Sequence, residues 1–430
     1  MMEETKKGKR VRAELPGGFR DTPPDFMRAK RRVLDTARRI FMSFGFEEMA
    51  TPAVERTETL TGGDEESEKI IFNVRGSRQD PEAETNMSLR FDLTVPLARF
   101  LAANPDIPKP FKRFQIGEVW RGESPQAGRY REFTQADIDI MGSSSIEADA
   151  EVITIISKTL CAIGVENFKV KINSRKVLDK LPQQPGFPQE QAMNLDKIIR
   201  EIDKAPKVGM PAVLKNISVF GGNDTSGAVG SFLAENVSLN DPELQEIKRI
   251  AESSGAKNIE IDQYIVRGLS YYTGTVFEAV LTDAPEIGSV FSGGRYDNLL
   301  VPFTGQKIPA VGASLGVDRL LAALEKLRQL PPSDPATKAL VLNLSPELNA
   351  ECIAITNELR DAGVNTALYF GDDRAFQAQL AYAVKKEIPF IVIYGEEEAK
   401  NGTVAIKNLR TRSQDVIKRS AVVEYFAERP

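Results

Sequence analysis

Apolar residues recur at helical spacing from Phe26 through Met27, Val33, Leu34, Ala37, Ile40, Phe41 and Phe44, with Pro24 and Asp25 ahead of the run and Gly45 behind it. The pattern predicts one long amphipathic helix, entered at the proline and stopped at the glycine. The stretch GFEEMATPAVE then reads as a turn, a strand and a break at Pro52. Runs with strand character follow at 86–89, 111–120 and 132–141, and helical period returns over 148–163. From about 169 to 256 the texture changes. LPQQPGFPQEQ is rich in proline and glutamine, and 193–202 and 227–234 have helical spacing without strong strand partners, so a helical insertion is expected. Strands resume at 259–267 and 275–281, followed by an expected Gly-Gly turn in FSGGRYDNLL and a helix from about Leu315 through GVDRLLAALEKLRQL.

The sharpest boundary is PPSDPATK, a Pro/Ser/Asp linker. Beyond it the strands KALVLNL, VNTALYF, PFIVIYG and TVAIKNL are interleaved with the helices PELNAECIAITNELRDAG, AFQAQLAYAVKK and SQDVIKRSAVVEYFAE. Such alternation predicts a small α/β domain with a mostly parallel sheet. A chain of 430 residues is too long for one ordinary core. The expected divisions are a first core part at 1–168, the insertion at 169–257, a second core part at 258–330, the linker at 331–337 and the last domain at 338–430. The fold class reads as α/β.

Composition narrows the chemistry more than the fold. With 41% hydrophobic and 27% charged residues the chain is globular in type, and a net charge of -5 argues against coating nucleic acid by bulk charge. No apolar run approaches the roughly 20 residues that span a bilayer. The start, MMEETKKGKRVRAEL, has no apolar signal region, and Cys161 and Cys352 stand far apart, so the expectation is a cytoplasmic protein without membrane or disulfide framework. There is no histidine. That removes Ser-His-Asp triads and imidazole acid–base chemistry, and makes a zinc site improbable. Catalysis would have to run on carboxylates, arginines and tyrosines, with any metal carried by the substrate.

Three stretches could carry such chemistry. In VWRGESPQAGRYREFTQADIDIM, two strands bracket a loop holding Arg121, Glu123, Arg129 and Arg131, and Gln135, Asp137 and Asp139 alternate onto one face of the second strand. The loop is either a solvated charged tip or an anion clamp whose guanidinium forks suit a polyphosphate. In LRFDLTVPLARF, Arg90 and Asp92 are charges among apolar residues, with Thr94 at strand period on the face of Asp92. They read as a structural ion pair or as a pocket carboxylate for an ammonium. In VRGLSYYTGTVFEAV, Arg267 and the tyrosines could form a buried turn with cation–π support. Asp318 suits the start of a helix, with Arg319 pointing outward.

Taken as a set in this order, these segments resemble the histidyl-tRNA synthetase family of class II aminoacyl-tRNA synthetases over nearly the whole chain. FGFEEMATPAVE looks like the first class II motif, which builds the dimer interface. VWRGESPQAGRYREF looks like the second and GASLGVDRLLAALE the third. RGLSYYTGTVFE and SGGRYD look like the two signatures of the histidine-specific branch, and the tail containing QLAYAVKKEIPFIVIYGEEEAKNGTVAIKNL resembles an anticodon-binding domain. The resemblance implies an α+β catalytic domain on an antiparallel sheet, a helical insertion and a C-terminal α/β anticodon-binding domain. It also implies a homodimer that takes L-histidine, ATP with its Mg2+, and tRNA(His).

Carried over residue by residue, the resemblance gives Arg121 the α-phosphate, Glu123 the adenine amino group, Phe133 and Arg319 the two adenine faces, and Arg129 the outer phosphates. Arg267 is a second cation at the α-phosphate. Asp92, Thr94 and Gln135 surround the α-ammonium; Asp139, Tyr272 and Tyr296 surround the imidazole, with Tyr271 nearby. Residues 124–129 would meet the acceptor end of tRNA, and Arg374, Lys385, Lys386 and Arg410 are candidate phosphate contacts. The chain departs from the family at Ser270, where aspartate is usual, at Gly122 and Thr134, where many members have histidine, and at Ser124, where many have arginine. The competing class is a non-catalytic histidine-binding paralogue such as the regulatory subunit of ATP phosphoribosyltransferase. Those relatives generally lack the anticodon domain and the arginine–tyrosine signature.

Overall fold

Pro24 fixes the first helical backbone angle where no amide donor is needed, and the helix it opens runs over Pro24–Ser43. Ala29, Val33, Ala37 and Phe41, four residues apart in succession, are buried along one stripe. Burial of Val33 or Phe41 contributes about 1.5–3 kcal/mol each, and Phe41 meets Phe114 edge to face at 5.6 Å between ring centres. The computed structural model describes residues 11–62, 68–78, 85–124, 128–266, 272–331 and 335–428. The chain divides into two compact units, Met1–Pro331 and Pro332–Pro430.

The first unit is built on strands β1 (Glu47–Glu48), β2 (Val54–Arg56), β3 (Phe72–Val74), β4 (Met87–Leu89), β5 (Phe111–Trp120), β6 (Glu132–Met141), β7 (Phe168–Ser174), β8 (Ile259–Ile261), β9 (Thr275–Leu281), β10 (Ser289–Arg295) and β11 (Ala310–Gly316). Eight of them form one sheet in the order β1-β5-β6-β11-β10-β9-β7-β8, and β2-β4-β3 form a small second sheet. Only the outermost pairs of the large sheet, β1–β5 and β7–β8, are parallel; the interior is antiparallel. The helices Pro24–Ser43, Ile146–Ile163 and Val317–Lys326 pack on one another and on this sheet. Ala136, Ile138 and Ile140 of β6 join the same core as the helices. Period-two alternation therefore turns Gln135, Asp137 and Asp139 to the opposite face.

Four local expectations are corrected by the structure. The insertion boundary at 169 falls inside β7, which pairs antiparallel with β9 and parallel with β8. Phe168, Val170 and Ile172 alternate with lysines, a strand pattern overshadowed by the proline- and glutamine-rich run after it. The helical stretch starts at Arg175 and includes Leu195–Ile202 and Met210–Ala234, the latter broken at Gly222 with φ of 85°. The Gly-Gly turn is instead the middle of β10, where a Cβ on Gly293 would stand 2.1 Å from the Gly312 carbonyl oxygen. Dense packing across the sheet, not a reversal of direction, demands glycine there. GASLG belongs to β11, and the helix begins only at Val317. Thr94 is not on a strand; it opens the helix Thr94–Ala103, with Asp92 Oδ1 accepting from the Val95 N–H at 3.1 Å.

In the second unit, β12 (Ala339–Val341), β13 (Thr366–Leu368), β14 (Phe390–Ile393), β15 (Thr403–Asn408) and β16 (Gln414–Lys418) are ordered β13-β12-β14-β15-β16. The first three are parallel and the last two add on antiparallel, so the sheet is evenly mixed rather than mostly parallel. The expected helix over SQDVIKRSAVVEYFAE divides into β16 and the short helix Val422–Ala427. Asn408 is the reason: its Oδ1 accepts from the N–H groups of Arg410 and Thr411, a side-chain turn that reverses the chain into a hairpin.

Candidate active site

The polar face of β6 is framed residue by residue by its neighbours. Gln135 lies between Gly117 and Gly316, Asp137 between Gln115 and Ser314, and Asp139 between Arg113 and Gly312. Glycine at 312 leaves the space that Asp139 fills, since a Cβ there would come 2.1 Å from Asp139 Oδ1. Arg113 is fully buried; its Nη2 stands 2.6 Å from Asp139 Oδ2 and donates to the Leu93 carbonyl at 3.0 Å. The Tyr296 hydroxyl donates to the other oxygen, Asp139 Oδ1. Ser314 accepts from Gln135 Nε2 at 2.6 Å and bonds Asp137 through its hydroxyl.

Several buried polar atoms of this cluster have no hydrogen-bond partner among the described residues: Gln135 Oε1, Asp137 Oδ1, and Nε and Nη1 of Arg113. Leaving such groups dry and unpaired costs about 1–3 kcal/mol each, so they mark a surface made to meet a polar ligand. Burial dominates the electrostatics. It raises the Asp137 pKa to about 7 and that of Asp92 to about 6, against the opposing pull of Arg113 on the first, and of the Val95 N–H and Arg121 on the second. Asp139 is raised as well by burial, with Arg113 and Tyr296 pulling it back.

Two tyrosine-bearing segments meet beside this face. Thr273 N donates to the Arg295 carbonyl at 2.8 Å, and its Oγ1 accepts from Asp297 N at 3.0 Å, fixing the residues that follow Tyr272 and flank Tyr296. Arg295 is anchored in turn by the buried Asp149, from Nε at 3.2 Å, and by the Ser143 carbonyl at 2.7 Å. Tyr272 packs over Gly294, where a Cβ would meet its ring at 2.8 Å.

On the loop side, Arg121 Nε donates to the Phe91 carbonyl at 3.0 Å and its guanidinium lies 5.2 Å from the Phe133 ring centre. Glu123 and Arg129 are exposed, and Thr94 is half-buried. The converging-arginine reading needs amendment: Arg131 turns to the backbone, donating to the carbonyls of Glu123 at 3.2 Å and Gly17 at 3.1 Å. Arg90 forms no pair with Asp92 and instead donates to the carbonyls of Thr51 at 2.6 Å and Glu118 at 2.9 Å. Arg319 does not point outward; its Nη1 donates to the Ser289 carbonyl at 2.7 Å. Arg267, Ser270 and Tyr271 lie outside the described residues.

The sequence reading missed Arg113 and Ser314. Pairing 111–120 against 132–141 as one hairpin would have set Arg113 opposite Asp139; Ser314 was hidden by reading its strand as the approach to a helix.

Comparison with known proteins matches residues 18–320 to the family model described as Histidyl-tRNA synthetase and residues 338–429 to that described as Anticodon binding domain. The histidine–tRNA ligase of Rhodopirellula baltica is 37% identical over 425 residues, covering 93% of this chain and 94% of that protein. The crystal structure of histidyl-tRNA synthetase from Nostoc sp. PCC 7120 superposes with a TM-score of 0.83 at 31% identity, covering 98% of this chain and 100% of that one. A structure described as an ATP phosphoribosyltransferase regulatory subunit/histidyl-tRNA synthetase, from Bacillus halodurans C, shares the fold at 23% identity with a TM-score of 0.69, over 87% of this chain and 97% of that one.

Proposed function

The chain belongs to the histidyl-tRNA synthetase family, and from that membership we infer that it activates histidine with ATP and transfers it to the 3' end of tRNA(His). In the first step a carboxylate oxygen of histidine attacks the α-phosphorus of ATP, the bond to the β-phosphate bridge breaks, and pyrophosphate leaves. The attacking carboxylate is already ionised near neutral pH, so a chain without histidine lacks nothing this step needs. Positioning and charge stabilisation carry it. In this reading Arg121, with Arg267, meets the α-phosphate, Arg129 the outer phosphates and Glu123 the adenine amino group, while Phe133 and Arg319 bracket the ring. Mg2+ would arrive on the phosphates and neutralise part of their charge.

Asp92, Thr94 and Gln135 would receive the α-ammonium, and Asp139, Tyr272 and Tyr296, with Tyr271, the imidazole. The single observation that carries this assignment is the buried polar face of β6, with Asp139 held between Arg113 and Tyr296 beside oxygens of Gln135 and Asp137 that have no partner among the described residues. An apolar analogue offers Asp139 and Tyr296 no hydrogen-bonding ring nitrogen, and sites built to hydrogen-bond their substrate discriminate by roughly 10⁴-fold or more. Residues 338–430 would read the anticodon, a homodimer is the assembly we expect, and an anticodon-domain match argues against the regulatory-subunit reading. Histidine-dependent ATP–pyrophosphate exchange tests the function: intact histidine binding without exchange would overturn it.

A further inference from the structure

We propose that Arg20 is a positioning residue for the ATP side of this site, acting through Asp318. The proposal rests on the ATP reading above, and it concerns a segment, LPGGFRD, to which the functional assignment gives no role. That segment lies against the loop end of the β5–β6 hairpin. The carbonyl of Gly18 accepts from the Arg131 N–H at 2.9 Å, that of Gly17 from Arg131 Nη1 at 3.1 Å, and Phe19 meets Phe72 edge to face at 6.1 Å.

Arg20 then reaches inward between two rings, its guanidinium 4.0 Å from the Tyr130 ring centre and 4.9 Å from that of Phe26. Its Nη1 donates to the Tyr130 hydroxyl at 3.1 Å and its Nη2 to Asp318 Oδ1 at 2.6 Å. Asp318 is only 3% exposed, and its second oxygen accepts from the Thr134 N–H at 2.6 Å with Lys30 Nζ at 3.6 Å. One carboxylate thus bonds the N-terminal segment to β6 and to the helix Val317–Lys326. Its sequence neighbour is Arg319, and the neighbour of Thr134 is Phe133, the two groups assigned to the faces of adenine. Arg20 touches neither; it fixes the carboxylate whose bonds set the distance between them.

Without Arg20, Lys30 still neutralises Asp318, but the aligned bond that fixes its orientation is gone. Adenine binding should therefore weaken, while the imidazole end of the histidine pocket, at Asp139 five residues further along β6, is unaffected. Pyrophosphate exchange on the full-length chain tests this. Arg20→Met is expected to raise KM for ATP about tenfold and leave KM for histidine within about twofold, a split that a general loss of structure does not produce. Arg20→Lys should recover only part of the effect. In an Asp318→Asn background Arg20→Met should add little, because both changes break the same connection. If Arg20→Met fails to fold, Asp318→Asn carries the same prediction of a selective rise in KM for ATP. An unchanged KM for ATP, equal rises in both KM values, or additive effects in the double variant would overturn the proposal. Absence of exchange in the unaltered chain would instead sink the synthetase reading.

Discussion

Asp137 is a carboxyl whose charge the fold resists, with a pKa of about 7, and Asp92 follows at about 6. Both values are raised, so the folded chain holds protons that the unfolded chain releases near pH 4. Their stabilising contribution is complete below that pH and is lost as pH rises through 6 and 7. Asp137→Asn should therefore flatten the fall in stability between pH 5 and pH 7.5, read from denaturant midpoints; an equal fall in both proteins would refute the assignment. Tyr296 acts on a charged acceptor. Tyr296→Phe removes the hydroxyl that donates to Asp139, and kcat/KM for histidine should drop roughly 10- to 100-fold, the range expected for a hydrogen bond to a charged group. KM for ATP should hold steady, and a comparable rise there would show that the hydroxyl supports the whole site.

At the scale of elements, the β5–β6 hairpin and its neighbour β11 decide the site. The alternation of Gln135, Asp137 and Asp139 on one face was legible in the sequence because strand period alone sets it. The strand character of SGGR and GASLG was not, because glycines chosen for close approach look like glycines chosen for a turn. Gly312→Ala separates the two cases. Its Cβ would stand 2.1 Å from Asp139 Oδ1 and 2.6 Å from the Ile138 carbonyl, so histidine activation should fall at least tenfold and stability with it by about 1–3 kcal/mol. A variant with unaltered KM for histidine would show that Asp139 has room to move. Thr94 looks like strand for a similar reason: Asp92 lies in the short connection between β4 and the helix and accepts from the Val95 N–H, and two residues of apparent strand period do not reveal that change.

For the molecule as a whole, the second unit has its own buried clusters, one around Cys352, Ile355, Val392 and Phe426 and another around Leu340, Ala383 and Ile391. Residues 338–430 expressed alone should melt in one cooperative transition; a fragment without protected amides would show that the first unit is needed to complete it. Composition, helix and strand spacing, the linker and the family signatures were determined by the sequence itself, because each depends on residues near one another along the chain. So was the exclusion of imidazole chemistry, since no fold can supply a side chain that is absent. Only the tertiary structure decided which charges are paired and which are left open. Asp139 meets Tyr296 across 157 residues of chain, and Arg113 by strand register. Asp318, legible as a helix-start acid, became a buried link from the N-terminal segment to β6. Pairing and pKa follow distance and burial, and both are set when strands distant in sequence become neighbours in one sheet.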